Sequence, residues 1–187
     1  MKTCAHCETQ FQPQRMGQRV CSPTCARRVV AADKKQAKER AKVERAMDTA
    51  KRRSLETIPE LIKKAQHAFN AFIRERDKDQ PCICCGRPLG ASDVGGAFDC
   101  GHYRSTGSAS HLRFDERNAH AQRKDCNRWG AGRAVDYRIG LVARIGLEAV
   151  ESLEADNAPI KWDRDTLRQI AVIYRGKTRE LRRNHGE

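Results

Sequence analysis

Between Pro81 and Arg133 the chain gathers Cys82-Ile-Cys-Cys85, then Asp99-Cys-Gly-His102, then Asn118-Ala-His120, and finally Cys126-Asn127. Thiolates are soft ligands suited to zinc, and carboxylates and carboxamides suit harder cations. An imidazole exchanges protons near neutral pH. One metal holding the fold through sulfur, and a second on hard oxygens assisting cleavage of a phosphodiester, would account for this mixture.

Those side chains need elements that bring them together. Cys82 and Cys85 form a knuckle followed by Gly86, whose backbone freedom suits a tight turn around a metal. A Gly-rich loop, 86 to 96, then leads into a short strand from Ala97 to Tyr103. Arg117 to Gln122 reads as a second strand. Alternation there would put Asn118, His120 and Gln122 on one face. A helix starting at Cys126 would carry Asn127 in its first turn. Strand, strand and helix would give His102, Asn118, His120 and Asn127 a common focus.

Around this core the expected fold is α+β and mainly helical, in three parts: 1–25, 26–56 and 57–187, with the chemistry in 81–135. Cys4, Cys7, Cys21 and Cys25 read as a zinc knuckle, because a loop this poor in apolar residues could hardly fold without a metal. Its role is structural, since four sulfurs leave no open coordination position. The stretch 26–55 has no Gly or Pro and favours helix, with apolar residues too sparse to make a buried stripe. Thr57-Ile-Pro-Glu60 is a capping box opening a helix over 58–77. Leu61, Ile62, Ala65, Ala68, Phe69, Phe72 and Ile73 share one face of it. His67, at the edge of that face, carries no role. Helical periodicity returns over 135–153, with Gly140 and Gly146 expected to break it. Asp163 can cap a last helix with Leu167, Ile170, Ala171, Tyr174 and Leu181 turned inward.

Composition narrows the function. The 187 residues are 39% hydrophobic and 33% charged, and their apolar runs are too short for the roughly 20 residues of a membrane span. No export signal opens the sequence. Nine cysteines in short paired spacings then favour metal-bound thiolates in the cytoplasm over disulfides. The net charge is +13. From Ala26 to Arg53 there are eleven Lys/Arg against four Asp/Glu, a net +7, which is a grip for the phosphates of DNA. Lys34, Lys35, Lys38, Arg40 and Lys42 are its candidate contacts.

The residues also carry a family likeness. His102 after one strand, Asn118 at the next, and Asn127 beside a zinc-type cysteine resemble the HNH, or ββα-metal, nucleases. More closely, the chain resembles the NinG (Rap) family of lambda-like phages and prophages. It shares the amino-terminal knuckle, the basic helix, Phe69-Asn-Ala-Phe-Ile-Arg-Glu-Arg-Asp77, Pro81-Cys-Ile-x-Cys-Gly86, Gly101-His-Tyr-Arg104, Leu112-Arg-Phe-x-Glu-Arg-Asn118 and Cys126-Asn127. The resemblance implies an endonuclease for branched recombination intermediates such as Holliday junctions and D-loops, working in the host cell on phage or prophage DNA. By the same resemblance His102 is the general base, and Asn118 orients its ring. Asp99 and Asn127 hold a catalytic Mg²⁺ or similar ion, with His120 as support or alternative ligand. Arg104 and Arg113, within the shared segments, are further candidate DNA contacts.

Two departures from the family pattern leave alternatives. Arg123 stands where relatives carry the first cysteine of a closing pair, so Cys82, Cys85 and Cys126 need a fourth zinc ligand. Cys100, Cys84 and His120 are available, and Cys100 is favoured because its strand runs near the site. Gly101 stands where an HNH nuclease has its acidic ligand, so either Asp99 reaches from further back or His102 itself binds metal. A zinc deaminase is excluded because His102 is followed by Tyr103-Arg104 rather than by the required x-Glu. A non-catalytic, zinc-stabilised DNA-binding or architectural protein is the alternative reading. Cutting both strands of a junction would favour a homodimer.

Overall fold

The computed structural model describes residues 1–90, 98–130 and 132–186. The expected strand start at Ala97, and the Gly-rich loop beyond residue 90, lie outside the described residues. The chain divides into two compact units, Met1–Glu56 and Thr57–Glu187.

In the first unit, strands β1 (Lys2–Thr3) and β2 (Gln10–Phe11) pair antiparallel, with Lys2 opposite Phe11. Helix α1 (Pro23–Leu55) follows. Its start is fixed by Ser22, whose hydroxyl accepts from the Cys25 amide, and by Pro23, which has no amide proton to leave unpaired. Cys25 is the one buried residue described on this helix, and Val30, Val43 and Met47 are exposed. The sparse apolar pattern therefore yields a solvated helix held by propensity.

The second unit is built on two long helices. Helix α2 (Ile58–Arg76) opens with the expected capping box: the Thr57 amide donates to Glu60 Oε2 and the Glu60 amide to Thr57 Oγ1. The last helix, Arg164–Asn184, is capped by Asp163, which accepts from the amides of Asp165 and Thr166. Leu61, Ala65, Phe69, Phe72 and Ile73 of α2 share a core with Leu167, Ala171 and Tyr174. Phe69 meets the Tyr174 ring edge-on at 4.8 Å. Each large apolar side chain buried there is worth about 1.5–3 kcal/mol.

Strands β3 (Phe98–His102) and β4 (Ala119–Arg123) pair antiparallel, setting His102 opposite Ala119, Gly101 opposite His120 and Asp99 opposite Gln122. Cys100 and Ala119 join the α2 core. The other face meets α3 (Ala134–Ile145), where the Tyr137 hydroxyl donates to the Gly101 carbonyl. With α4 (Leu147–Ala155), α3 encloses a second core of Ile83, Leu112, Tyr137, Leu141, Val150 and Leu153. The helix Arg164–Asn184 is thus α5. The sheet lies between helices on both faces.

The outer edge of β4 is occupied along its length. The Ala119 carbonyl accepts from Arg76, the Ala121 amide donates to Asp77 Oδ2, the Ala121 carbonyl accepts from the Ile83 amide, and the Arg123 amide donates to Cys82 Sγ.

Two expectations are corrected here. Gly140 does not break α3: a Cβ at that position would stand 1.8 Å from the Ile83 carbonyl oxygen, so glycine lets the helix press against the chain after Cys82. Gly146, with φ +87°, ends the helix as expected. The helix expected from Cys126 is a single π-helical turn, Asp125–Trp129, closed by the Gly130 amide on the Asp125 carbonyl. Among the described residues the fold is mainly helical with two small sheets, and the succession around the candidate site is strand, strand and a short turn. No helix among the described residues is long and apolar enough to cross a membrane.

Candidate functional site

Two sulfur clusters stand out. The ligand atoms of Cys4, Cys7, Cys21 and Cys25 all lie within 4.8 Å of one another, and so do those of Cys82, Cys84, Cys85 and Cys126. Sulfurs placed tetrahedrally at about 2.3 Å from zinc stand roughly 3.8 Å apart. Separations of 3.5 Å for Cys7–Cys21 and Cys82–Cys84, and 3.6 Å for Cys21–Cys25, fit that size. Both clusters could therefore hold zinc.

The second cluster is shaped by a turn in which the Gly86 amide bonds to the Cys82 carbonyl, with Gly86 at φ +66°, a value glycine adopts freely. Cys126 reaches it from the π-helical turn. Burial opposes ionisation of Cys85, but the hydrogen bonds from Arg87 bring its pKa down to about 7. Burial drives the Cys84 thiol the other way. Thiols packed this tightly resist sharing negative charge, a conflict a bound cation would relieve.

The fourth sulfur belongs to Cys84, which corrects the preference for Cys100. Alternation along β3 turns Cys100 toward α2, where it is packed in the core and burial pushes its thiol up to about 12. His120 is not a ligand either, since it faces Tyr137 from the sheet's other side. The available signal was the run Cys82-Ile-Cys-Cys85, together with Gln122, whose amide donates to Cys84 Sγ at 3.3 Å and to the Gly132 carbonyl at 2.8 Å.

His102 ends β3 half-buried, its ring 6.0 Å from that of Phe69 and its Nε2 3.1 Å from the Arg113 carbonyl oxygen. Burial, which outweighs the bond to the Arg113 carbonyl, holds the imidazole below its ordinary pKa. The ring is therefore neutral at pH 7. A carbonyl can only accept, so Nε2 carries the proton and Nδ1 keeps the lone pair.

The Asn118 side chain bonds to backbone rather than to that ring. It is fully buried, accepts from the Arg104 amide at 2.8 Å and donates to the carbonyls of Arg104 and Leu112 at 3.0 and 3.1 Å. All three bonds span the loop between the strands, so Asn118 fixes the path of the chain leaving His102. His120 is buried against Tyr137, and burial with the charges of Arg76 and Arg144 lowers its pKa to about 3.

Asp99 and Asn127 do meet, with Asn127 Nδ2 3.3 Å from Asp99 Oδ2. They do not share one focus with His102. Asp99 lies three residues back, about 10 Å along a strand, and an odd offset turns it to the opposite face. Nor does the pair fit a hard cation: Arg128 holds both Asp99 oxygens, at 2.8 and 3.2 Å. Among the described residues, the two cysteine groups are the clusters of metal-ligating side chains.

Two of the candidate DNA contacts are spent inside the protein. Arg104 donates to the carbonyls of Leu153, Glu154 and Asp156, closing the end of α4. Arg113 bonds Gln66 Oε1 and the Thr106 carbonyl. Lys34, Lys35, Lys38 and Arg40 are exposed on α1, and Lys42 follows them there.

Over residues 1–185 the chain matches the family described as bacteriophage lambda NinG protein. It belongs to the NinG family. It is 40% identical to the ninG protein of Salmonella phage P22, over 97% of this chain and 93% of that protein. It is 39% identical to the ninG protein of Escherichia phage lambda, over 97% and 92%, and 38% identical to that of Escherichia phage 933W, over 100% and 96%. No solved structure matches it.

Proposed function

We propose that this NinG-family chain is an endonuclease for branched DNA in phage recombination, with His102 as its general base. The observation that carries the reading is the state of that ring. It is neutral, its Nε2 proton is fixed on the Arg113 carbonyl, and its Nδ1 lone pair is left to take a proton. As a water oxygen attacks the phosphorus, its proton passes to Nδ1, the bond to the leaving 3′ oxygen breaks, and that oxygen takes up a proton from solvent. Positioned bases of this kind contribute about 10²–10⁴ in rate. Asn118 positions His102 by tying the Arg104 backbone on one side to Leu112 on the other. The exposed cations of α1 supply attraction to phosphate.

The Asp99–Arg128 pair favours a second reading, a zinc-held DNA-binding protein without catalysis, because it takes up the carboxylate expected to hold a metal. The two readings separate on a labelled four-way junction and a linear duplex of matched sequence, incubated with protein across a panel of divalent ions. The endonuclease reading expects cuts on the junction, reduced at least about 10²-fold in His102→Ala and His102→Gln. Binding without cutting, or cutting indifferent to both variants, would overturn it.

A further inference from the structure

Resting on the reading of DNA as the partner, we propose that Trp129 is a stacking platform for an unpaired base of the bound DNA. Trp129 is 82% exposed, a costly placement for the largest aromatic side chain, and it ends the π-helical turn anchored at Cys126. It opens onto a pocket of about 510 Å³ lined also by Arg87, Asp125, Cys126, Gly130 and Arg133. Asp125 holds the Arg87 guanidinium at 2.9 Å, and Asp136 holds that of Arg133 at 2.8 Å. The pocket thus offers an exposed aromatic ring and two flat cations, each held by a carboxylate.

That combination suits a flat, polarisable ring carried on an anionic chain. A nucleobase meets the description only when it is unpaired, since in duplex its faces are covered by its neighbours. Aromatic side chains bind such bases with little regard to sequence, because every base has a π-face. Arginine planes add stacking of their own and attract the phosphates. Branch points interrupt stacking, and a displaced strand leaves its bases unpaired, so this pocket would read a feature that linear duplex lacks. Asn127 and Arg128 precede Trp129 on the same turn, and both bond to Asp99.

Binding is measured without cleavage, using an oligodeoxythymidylate, a blunt duplex and a four-way junction. The wild type, Trp129→Ala and Trp129→Phe are compared, with folding checked by circular dichroism. Stacking quenches the wild type's tryptophan emission on oligodeoxythymidylate. Trp162, half-buried with its ring edge-on to Phe114 at 5.1 Å, should give no response in Trp129→Phe. Trp129→Ala should lose about five- to a hundred-fold in affinity for the single strand while keeping duplex affinity, and Trp129→Phe should recover most of the loss. An equal loss on single strand and duplex would overturn the platform. So would unchanged affinity in Trp129→Ala, or an effect confined to self-association in sedimentation. Failure of the wild type to bind any of the three DNAs would instead remove the underlying reading, and the platform with it.

Discussion

Gln122 lies diagonally across Gly101 on the neighbouring strand, two pairs along in register, so closely that a Cβ on the glycine would stand 2.2 Å from Gln122 Oε1. The same Gln122 amide nitrogen holds Cys84 Sγ and the Gly132 carbonyl. Glycine immediately before His102 is thereby tied to the geometry of the sulfur cluster.

Gly101→Ala should destabilise the protein by about 1–3 kcal/mol, the usual cost of overfilling a packed site. It should also loosen zinc, because the displaced amide no longer braces Cys84. Urea midpoints with parallel chelator challenge check this. An unchanged midpoint would mean that Gln122 moves aside freely.

The cysteine assignment makes a stoichiometric prediction. Elemental analysis of the purified protein should find two zinc ions per chain, one for each cluster. Cys84→Ser should carry one, whereas Cys100→Ser should keep both and lose only packing energy. Retention of both ions in Cys84→Ser together with loss of one in Cys100→Ser would reverse the assignment.

His120 should make the second unit acid-sensitive. Its pKa is about 3 in the fold, where burial is the main cause, and near 6.5 when unfolded. Between those values the unfolded chain binds a proton that the folded one does not. Stability then falls as pH drops from about 6.5 toward 3, by up to about 1.4 kcal/mol per pH unit. Asp77, which burial alone would raise but its bond to Arg76 holds low, adds a further loss below about pH 4. Denaturation at pH 6.5, 5.5 and 4.5 should show a shallower pH slope for His120→Gln than for the wild type. Parallel slopes would assign the acid sensitivity to other groups.

The α1 cations should set the salt dependence of DNA binding. Replacing Lys34, Lys35, Lys38, Arg40 and Lys42 with glutamine should weaken binding and reduce the log–log salt slope by up to about 4.5, at roughly 0.9 per phosphate contact. If affinity across a salt series matched the wild type, α1 would serve another partner.

What the sequence made legible follows from how local each signal is. The Thr57–Glu60 box, the Asp163 cap and the apolar face of α2 depend on neighbours a few residues away, and all appear as expected. The two central strands were readable from their residues, and their antiparallel register came from the fold. What failed depended on contacts distant in sequence. Gly140 breaks a helix by propensity but here admits the Ile83 carbonyl. Cys100 lies near the sulfur cluster, yet its side chain is taken up in the α2 core and Cys84 completes the group of four. Arg104 and Arg113 look like phosphate contacts until α4 and α2 arrive to claim them. The His102, Asn118 and Asn127 pattern was visible as spacing. Which backbone groups the first two would bind was not.

The covered border of β4 has a consequence for how copies of this chain could associate. Arg76, Asp77, Ile83 and Cys82 already take the outward-facing amides and carbonyls of that strand, so no incoming segment can zip onto it to lengthen the ribbon. Loss of the Arg76–Asp77 latch would bare part of that border and open a route to clumping that the intact strand denies.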